Sequence, residues 1–209
     1  MIDSHLQPLM RALLLPPARW LRAAGVGADQ ITLAGFAVGA AGALAIAAGL
    51  PGVGLALVLL NRIMDGLDGA VARLGTPSDR GAFLDIAADF LFYALVPLGF
   101  AFADPATNAL PAALLIASFM GTGSSFLAFA AIAARQGRHA EAFAHKGIYY
   151  LGGLTEGAET IALFIAVCLW PDWFAPLAVG FSLLCLITTA TRWLQGWHAF
   201  GPDELKDRE

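Results

Sequence analysis

Residues 31–74 read ITLAGFAVGAAGALAIAAGLPGVGLALVLLNRIMDGLDGAVARL, which is two apolar runs separated at Pro51. Each run has roughly the 20 residues that a helix needs to cross the hydrocarbon core of a bilayer. The same composition extends through the chain, where 58% of residues are hydrophobic and 13% are charged. A soluble domain of 209 residues needs far more polar surface than this. The sequence therefore predicts an all-α integral membrane protein.

Composition also excludes other classes. The net charge is −4 and no basic stripe is present, which argues against a nucleic-acid-binding protein. The 2 cysteines, Cys168 and Cys185, lie inside apolar runs, so no disulfide framework is expected. The N-terminal stretch, residues 1–21, has an apolar run that is broken by Pro16-Pro17, and it lacks a small-residue cleavage site. No signal peptide is therefore expected.

Six segments are long and apolar enough for transmembrane helices, at residues 31–50, 52–74, 82–103, 110–134, 149–170 and 173–195. Before them, residues 3–24 interleave Leu, Met and Trp with arginine, which predicts an amphipathic helix lying in the membrane interface. Pro16-Pro17 could split it into two pieces. We expect residues 1–30 to form this helix and the loop after it, 31–199 the six-helix domain, and 200–209 a cytoplasmic tail.

Basic residues predict the orientation. All 12 lie at one end of the predicted spans: Arg11, Arg19, Arg22, Arg62, Arg73, Arg80, Arg135, Arg138, Lys146, Arg192, Lys206 and Arg208. The opposite loops, near residues 49–53, 103–110 and 171–175, contain none. The positive-inside rule then places both termini in the cytoplasm, which requires an even number of spans.

Asp65, Asp68, Asp85 and Asp89 fall within predicted spans, where a bare carboxylate costs about 2.5–3.5 kcal/mol at the bilayer centre. Helical geometry puts the first two on one face of the second span and the last two on one face of the third. The short loop of about 74–81 predicts that these spans are antiparallel neighbours whose carboxylates face each other. Oxygen-only clusters suit Mg²⁺ or Mn²⁺, and four carboxylates can hold two ions about 3.5–4 Å apart.

Small residues and cations surround these acids. Gly66 and Gly69 lie beside them although a glycine inside a helix costs about 1 kcal/mol relative to alanine, which suggests that a bulky group approaches this backbone. Gly81 begins the third span and could open its N-terminus to a phosphate. Arg73 and Arg80 could neutralise a diphosphate.

Eight residues at fixed spacing complete the pattern: Asp65-x-x-Asp68-Gly69-x-x-Ala72-Arg73 and then Gly81-x-x-x-Asp85-x-x-x-Asp89. This pattern resembles the signature of the CDP-alcohol phosphotransferases, with every fixed position present. Upstream, Asp29-Gln30-Ile31-Thr32 looks like a degraded Pro-Asn-x-x-Thr motif of the family in which Thr32 is retained. Residues 149–157, YYLGGLTEG, look like a bacterial inner-membrane branch of it. The resemblance implies six transmembrane helices, an interfacial N-terminal helix, cytoplasmic termini, a cytoplasm-facing active site and a homodimer.

The resemblance also implies a reaction. A CDP-linked donor, usually CDP-diacylglycerol, gives its phosphatidyl group to the hydroxyl of a small alcohol or a phosphorylated polyol, and CMP leaves. The implied ligands of two Mg²⁺ or Mn²⁺ ions are Asp65, Asp68 and Asp85, with Asp89 a further ligand or the general base. The implied nucleotide and diphosphate contacts are Thr32, Gly69, Ala72, Arg73 and Gly81.

The acceptor is not fixed by the motif. The loop cations Arg135, Arg138 and Lys146 would suit an acceptor that already carries phosphate. Glu156 and Glu159 share a helix face and would suit hydroxyls or an amine. We hypothesise that both groups line the acceptor pocket. The structural alternative is that the cations only mark topology and the glutamates only charge a helix N-terminus.

Other functions were compared with this one. Asn61-Arg62-x-x-Asp65-x-x-Asp68 faintly resembles the aspartate-rich helix of membrane prenyltransferases, which bind a magnesium diphosphate, but the second aspartate motif of those enzymes is missing. An ion- or proton-coupled transporter could use the carboxylates as a relay. Transport sites lie near the midplane, often on broken helices, whereas these acids cluster towards one side. A catalytically inactive regulator is disfavoured by the intact signature.

Overall fold

The computed structural model describes residues 2–76, 78–136 and 153–201, with side chains from residue 13 onward. All regular structure in these residues is helical, which confirms the all-α prediction. The helices are α1 Ile2–Ala23, α2 Ala28–Ala47, α3 Pro51–Arg73, α4 Asp79–Ala103, α5 Pro105–Arg135, α6 Gly157–Leu169 and α7 Phe174–Ala199, with a 3₁₀ turn at Pro171–Trp173.

Local sequence explains where several helices begin. Pro51 and Pro105 occupy the first turns of α3 and α5, where a missing backbone N–H costs nothing. Ser78 and Asp104 cap α4 and α5 by accepting N–H groups from Gly81 and Thr107. These signals keep the connections before α3, α4 and α5 short, so consecutive helices reverse direction.

Among the described residues, four helical segments are long and apolar enough to cross a membrane: α2, α4, α5 and Pro171–Ala199. Helix α3 has 23 residues, but every 18-residue stretch of it contains Arg62, Asp65 and Asp68. Helix α6 has 13 residues. The membrane prediction therefore agrees with the structure, whereas six spans and an amphipathic α1 stay predictions.

Two predicted segments differ from the structure. Helix α1 runs continuously through Pro16-Pro17, so the split into two pieces does not occur. The fifth predicted span, 149–170, is helical only over Gly157–Leu169 among the described residues. Glu156 caps this helix from an extended conformation, which ends the helix there; residues 149–152 lie outside the described residues.

Helix α2 packs against both α3 and α4 along a stripe of small residues. A Cβ at Gly35 or Gly42 would lie 3.1 Å from a side chain of α3, and Gly99 of α4 faces the Ala43 carbonyl. Within the described residues, α3 and α4 do not pack closely against each other. The predicted direct packing of α3 against α4 is therefore wrong: both helices pack on α2 instead. Their facing side chains still meet across a cleft, since Arg62 of α3 lies 2.6 Å from Asp89 of α4.

Aromatic packing fixes α4 from the opposite side. Phe92 meets Phe164 of α6 edge-on with ring centroids 6.1 Å apart, and Phe100 stacks on Phe174 of α7 at 4.5 Å. At the other edge of the molecule, Ala18 of α1 is buried with Val71 of α3. Both helices that carry the aspartates are thus held by packing on their outer sides.

Replacing Gly39 with alanine should destabilise the protein. The new Cβ would lie 2.6 Å from Phe92, whose ring is 1% exposed and cannot move aside. Overpacking of this kind costs about 1–3 kcal/mol, partly offset by the better helix propensity of alanine. Thermal unfolding in detergent measures the effect. Gly180→Ala is the control because a Cβ there meets nothing within 4 Å, and equal melting temperatures for the two variants would contradict the prediction.

Candidate functional site

The four predicted aspartates line one narrow cavity between α2, α3 and α4. Its wall also includes Thr32, Asn61 and Arg62. Its volume is about 10 Å³, room for roughly one water-sized group. The structure thus places Asp65, Asp68, Asp85 and Asp89 around one cavity, on the helix faces that their spacing predicts.

Asp68 is the most enclosed of these acids, with 5% of its surface exposed. The Thr32 hydroxyl on α2 lies 2.6 Å from Asp68 Oδ2 and donates to it. The same hydroxyl lies 3.1 Å from the Ala28 carbonyl in its own helix. Thr32 therefore orients a carboxylate, in addition to the nucleotide contact that the motif implies.

Arg62 enters the cavity from α3. Its Nη1 lies 2.6 Å from Asp89 Oδ1 on α4, and its Nη2 lies 3.8 Å from Asp65 Oδ1. Its Cζ stands 4.4 Å from the centre of the Phe92 ring. The sequence analysis used this arginine as a topology marker and as part of the faint prenyltransferase-like pattern, and did not predict it as a contact of the aspartates. The usable signal was its position three residues before Asp65, which puts both on one helix face.

The donor set suits a divalent cation, because every candidate ligand is a carboxylate oxygen. In the described part of the chain, however, no three Asp, Glu, His or Cys side chains gather closely enough to hold a metal ion. The predicted four-carboxylate cage is therefore not closed in this structure. Arg62 contacts two of its members, which accounts for part of this difference.

A larger cleft adjoins the acidic cavity. Its volume is about 720 Å³, within the range of roughly 300–1,000 Å³ typical of small-molecule sites. Thr32, Asp68 and Asp85 line both spaces, so the two adjoin at these residues. The cleft also brings together the predicted small residues Gly69, Ala72 and Gly81.

The cations predicted around this cleft have different positions. A Cβ at Gly69 would lie 3.1 Å from Arg73 Nη1, so the guanidinium of Arg73 covers that glycine. Arg80 instead pairs with Asp29 across the cleft mouth, at 2.6 Å. The backbone N–H of Gly81 donates to Ser78 Oγ at 3.0 Å, so this group of the α4 N-terminus is already satisfied inside the protein.

The predicted acceptor residues form no single group in the described residues. Glu156 and Glu159 form a reciprocal cap at the start of α6, where Glu159 Oε2 accepts the Glu156 N–H at 3.0 Å. This arrangement matches the structural alternative given above. Arg135 is exposed at the end of α5. Arg138 and Lys146 lie outside the described residues.

A second polar cluster was not predicted. Arg192 of α7 is 9% exposed, donates to the Thr122 carbonyl of α5 at 2.9 Å and interacts electrostatically with Glu156. The Thr188 hydroxyl beside it accepts the Leu154 N–H at 3.1 Å. Only the position of Arg192 inside an apolar run could have signalled this cluster. This cluster connects the start of α6 to α5 and α7, on the parts of those helices that the predicted topology places towards the cytoplasm.

Comparison with known sequences gives one family. The model of the CDP-alcohol phosphatidyltransferase family matches residues 26–195. The inner membrane protein YnjF of Escherichia coli is 51% identical over 197 residues, covering 94% of this chain and 96% of that protein. The archaetidylinositol phosphate synthase of Methanothermobacter thermautotrophicus is 35% identical over 97 residues, covering 46% of this chain and 48% of the synthase.

Solved structures of the Mycobacterium tuberculosis phosphatidylinositol phosphate synthase PgsA1 share the fold. The form with CDP-DAG bound aligns with a TM-score of 0.67 at 23% identity, covering 89% of this chain and 94% of that one. The form in complex with manganese and citrate gives a TM-score of 0.66 at 24% identity, with 88% of each chain covered.

Proposed function

The chain belongs to the CDP-alcohol phosphatidyltransferase family, whose members are membrane enzymes of phospholipid biosynthesis, and from that premise we propose its reaction. It transfers a phosphatidyl group from CDP-diacylglycerol to the hydroxyl of a small alcohol or a phosphorylated polyol and releases CMP. The bound CDP-DAG and manganese named for PgsA1 support this choice of donor and cofactor. Mg²⁺ and Mn²⁺ are the candidate ions.

One observation carries the proposal: a cleft of nucleotide size adjoins a carboxylate cavity and shares Thr32, Asp68 and Asp85 with it. Gly69 and Ala72 line the cleft on α3, and their small size leaves a cytidine diphosphate room to approach. Asp68 and Asp85 stand where the two spaces join. The diphosphate of a donor in the cleft would therefore lie beside these acids while its acyl chains stay in the bilayer.

The proposed role of each residue follows from its position in the site. Asp65, Asp68 and Asp85 would hold divalent cation, which when bound neutralises the diphosphate and stabilises charge on the departing CMP. Thr32 keeps the Asp68 carboxylate oriented. Arg73, above Gly69, would bind a phosphate oxygen.

Asp89 is the candidate general base for the acceptor hydroxyl. Its side chain is 31% exposed, so an acceptor can reach it, and Arg62 fixes one of its oxygens. A carboxylate beside cations is weakly basic, so it acts through its placement against the hydroxyl. The proton of the acceptor hydroxyl passes to Asp89 as the oxygen bonds to the donor phosphorus and the bond to CMP breaks.

The proposed topology has six spans, α2 to α7, with both termini and the cleft on the cytoplasmic side of the inner membrane. The four apolar helical segments and the one-sided distribution of Lys and Arg support it. The acidic α3 is acceptable in such a bundle because its charged side chains face the cavity. Helix α1 lies in the interface, and the enzyme works as a homodimer.

We propose a phosphorylated polyol as the first acceptor to test, because two relatives are named for inositol phosphate lipids. Arg192 supplies a buried cation beside Glu156 that could bind a phosphate. Arg135, Arg138 and Lys146 would add positive charge at the same end of the predicted spans. Glu156 and Glu159 would bind hydroxyls.

Alanine substitution of Glu156, Glu159, Arg138 and Lys146 in turn should raise the acceptor KM and leave the donor KM unchanged. Steady-state CMP release at varied acceptor concentration measures both values. Because the glutamates also cap α6, Glu159→Gln is the matched control that keeps the reciprocal cap and removes only the charge. An unchanged acceptor KM in all four alanine variants would refute the acceptor pocket.

Gly69→Ala should weaken donor binding without unfolding the protein. The added Cβ would lie 3.1 Å from Arg73 Nη1, and this flexible guanidinium can shift away from the methyl group. Cleft space and a phosphate contact are then lost together, so we expect the donor KM to rise about tenfold, equivalent to ~1.4 kcal/mol. Gly52→Ala in the same helix meets nothing within 4 Å and should behave as wild type. A normal donor KM in Gly69→Ala would place the nucleotide elsewhere.

The overall proposal is tested in proteoliposomes with CDP-diacylglycerol, Mn²⁺ or Mg²⁺ and a panel of alcohols with and without phosphate. We expect metal-dependent CMP release and a new lipid whose mass identifies the acceptor. Ion flux without CMP would favour the transporter alternative. Turnover of a prenyl diphosphate without use of CDP-diacylglycerol would favour the prenyltransferase alternative.

A further inference from the structure

Arg62 lies outside the eight signature positions, yet it lines the carboxylate cavity. An arginine stays protonated in proteins, and its planar group presents its donors in a fixed fork. In the predicted topology Arg62 lies within a transmembrane span, where an arginine is costly unless it is paired. Its shortest ion pair joins Nη1 to Asp89 Oδ1 of α4, at 2.6 Å. The charge of Arg62 is therefore directed at the residue proposed to take the acceptor proton.

Buried groups hold Arg62 from the sides that do not face Asp89. Its Nε donates to Asn61 Oδ1 at 2.8 Å, and Asn61 Nδ2 donates to the Gly35 carbonyl of α2 at 2.8 Å. Asn61 is 4% exposed. The Phe92 ring, which lies 4.4 Å from the guanidinium carbon, is 1% exposed. A side chain restrained by two buried neighbours cannot swing freely, so the guanidinium has a fixed place relative to α2 and α4.

The two oxygens of Asp89 are not equivalent. Oδ1 accepts the hydrogen bond from Arg62 Nη1. Among the described residues, Asp89 Oδ2 accepts no hydrogen bond. The side chain is 31% exposed, so a substrate can reach it. Arg62 thus holds one oxygen of this carboxylate and leaves the other for a ligand.

We infer that Arg62 and Asn61 are positioning residues for Asp89: Asn61 holds the guanidinium, and the guanidinium holds Oδ1 so that Oδ2 meets the acceptor hydroxyl. This inference rests on the proposed function in taking Asp89 as the general base. It adds two residues outside the signature and links the reacting carboxylate to the backbone of α2. Neither side chain touches the substrate in this role.

The first test is the kinetics of CMP release in proteoliposomes. Arg62→Met should lower kcat by about 10²-fold, the size of effect expected when a reacting group is misplaced, and leave the donor and acceptor KM unchanged. Arg62→Lys keeps the charge without the fork and should recover part of the lost rate. Asn61→Leu has a similar size but removes both hydrogen bonds, and it should lower kcat by about tenfold. Arg19→Met is the control, because Arg19 is exposed on α1 and lines neither the cavity nor the cleft.

The second test needs no activity. The melting temperatures of Arg62→Met, Asp89→Asn and the double variant form a cycle that reports coupling between the two side chains. We expect Asp89→Asn to lower the melting temperature of the wild-type chain but not that of the Arg62→Met chain. Arg62→Lys takes the place of Arg62→Met in both tests if that variant does not fold.

An unchanged kcat in Arg62→Met, or additive shifts in the melting temperature, would overturn the inference. A loss of activity that only follows the folded fraction, with no recovery in Arg62→Lys, would overturn it too, because it would show a purely structural role. If the wild type releases no CMP, the proposed reaction is rejected, and the melting temperatures alone then decide whether Arg62 holds Asp89.

Discussion

We expect Asp89→Asn to abolish CMP release from CDP-diacylglycerol while the protein keeps its fold. Asparagine has the size of aspartate but cannot accept a proton from the acceptor hydroxyl. Loss of a general base reduces the rate by roughly 10²–10⁴-fold, which brings turnover to the limit of detection. The fold survives because Asp89 is partly exposed and its helix is held by Phe92 and Phe100.

The measurement is CMP release in proteoliposomes, with thermal unfolding of the same preparation to establish folding. Asp172→Asn is the control, because Asp172 lies exposed in the 3₁₀ turn away from the cavity. Wild-type turnover by Asp89→Asn would remove this residue from the mechanism. An unfolded variant would show instead that the Arg62–Asp89 pair is needed for stability.

Asp85→Asn should abolish turnover by a different route, through loss of the metal ion. Asp85 is exposed at the junction of the cavity and the cleft, so it can reach both an ion and a diphosphate. Loss of a group that only orients a metal ligand weakens metal affinity by about 10–100-fold. Loss of a ligand itself should exceed that range. Calorimetric titration with Mn²⁺, before any donor is added, measures the affinity.

Two further variants provide comparisons for the Mn²⁺ affinity of Asp85→Asn, one with a smaller expected effect and one with none. Thr32→Val keeps the shape of the side chain but removes the hydroxyl that bonds to Asp68 and to the Ala28 carbonyl, so it should fall within the smaller range. Asp79→Asn changes an acid in the first turn of α4, outside the residues that line the cavity, and should bind Mn²⁺ as wild type does. Equal affinity for Asp85→Asn and Asp79→Asn would show that Asp85 does not ligate the ion.

Much of the fold could be predicted from the sequence, because segments that lie in lipid have to be apolar. Apolar runs with few charges indicated helices, and the spacing of Asp65, Asp68, Asp85 and Asp89 placed all four on the correct helix faces. Both are local properties of a single helix. The cleft beside Gly69 was predicted for a similar reason, because small residues beside acids suggest that a group approaches the backbone. Gly66, predicted together with it, instead faces Leu14 of α1.

The packing of one helix against another could not be predicted in this way. Nothing in the spacing shows that α3 and α4 both pack on α2, because a face pattern does not reveal which helix meets it. The partners of single side chains were hidden in the same way: Arg62 was counted as a topology marker, although it reaches Asp89 27 residues later. The glutamates of α6 show the opposite case, since their i, i+3 spacing fits a helix cap and a ligand pocket equally well.

The glycines of α2 determine how closely this helix packs against two neighbours, α3 and α4. Gly35 and Gly42 set how near α3 can come, and Gly39 seats the α4 ring that lies under the Arg62 guanidinium. A larger side chain at any of these glycines would push the neighbouring helix away from α2. The same change would tilt the side chains of the cavity. We therefore expect substitutions along this stripe to change stability and activity together, whereas substitutions at exposed positions of the same helix, such as Leu44, should change neither.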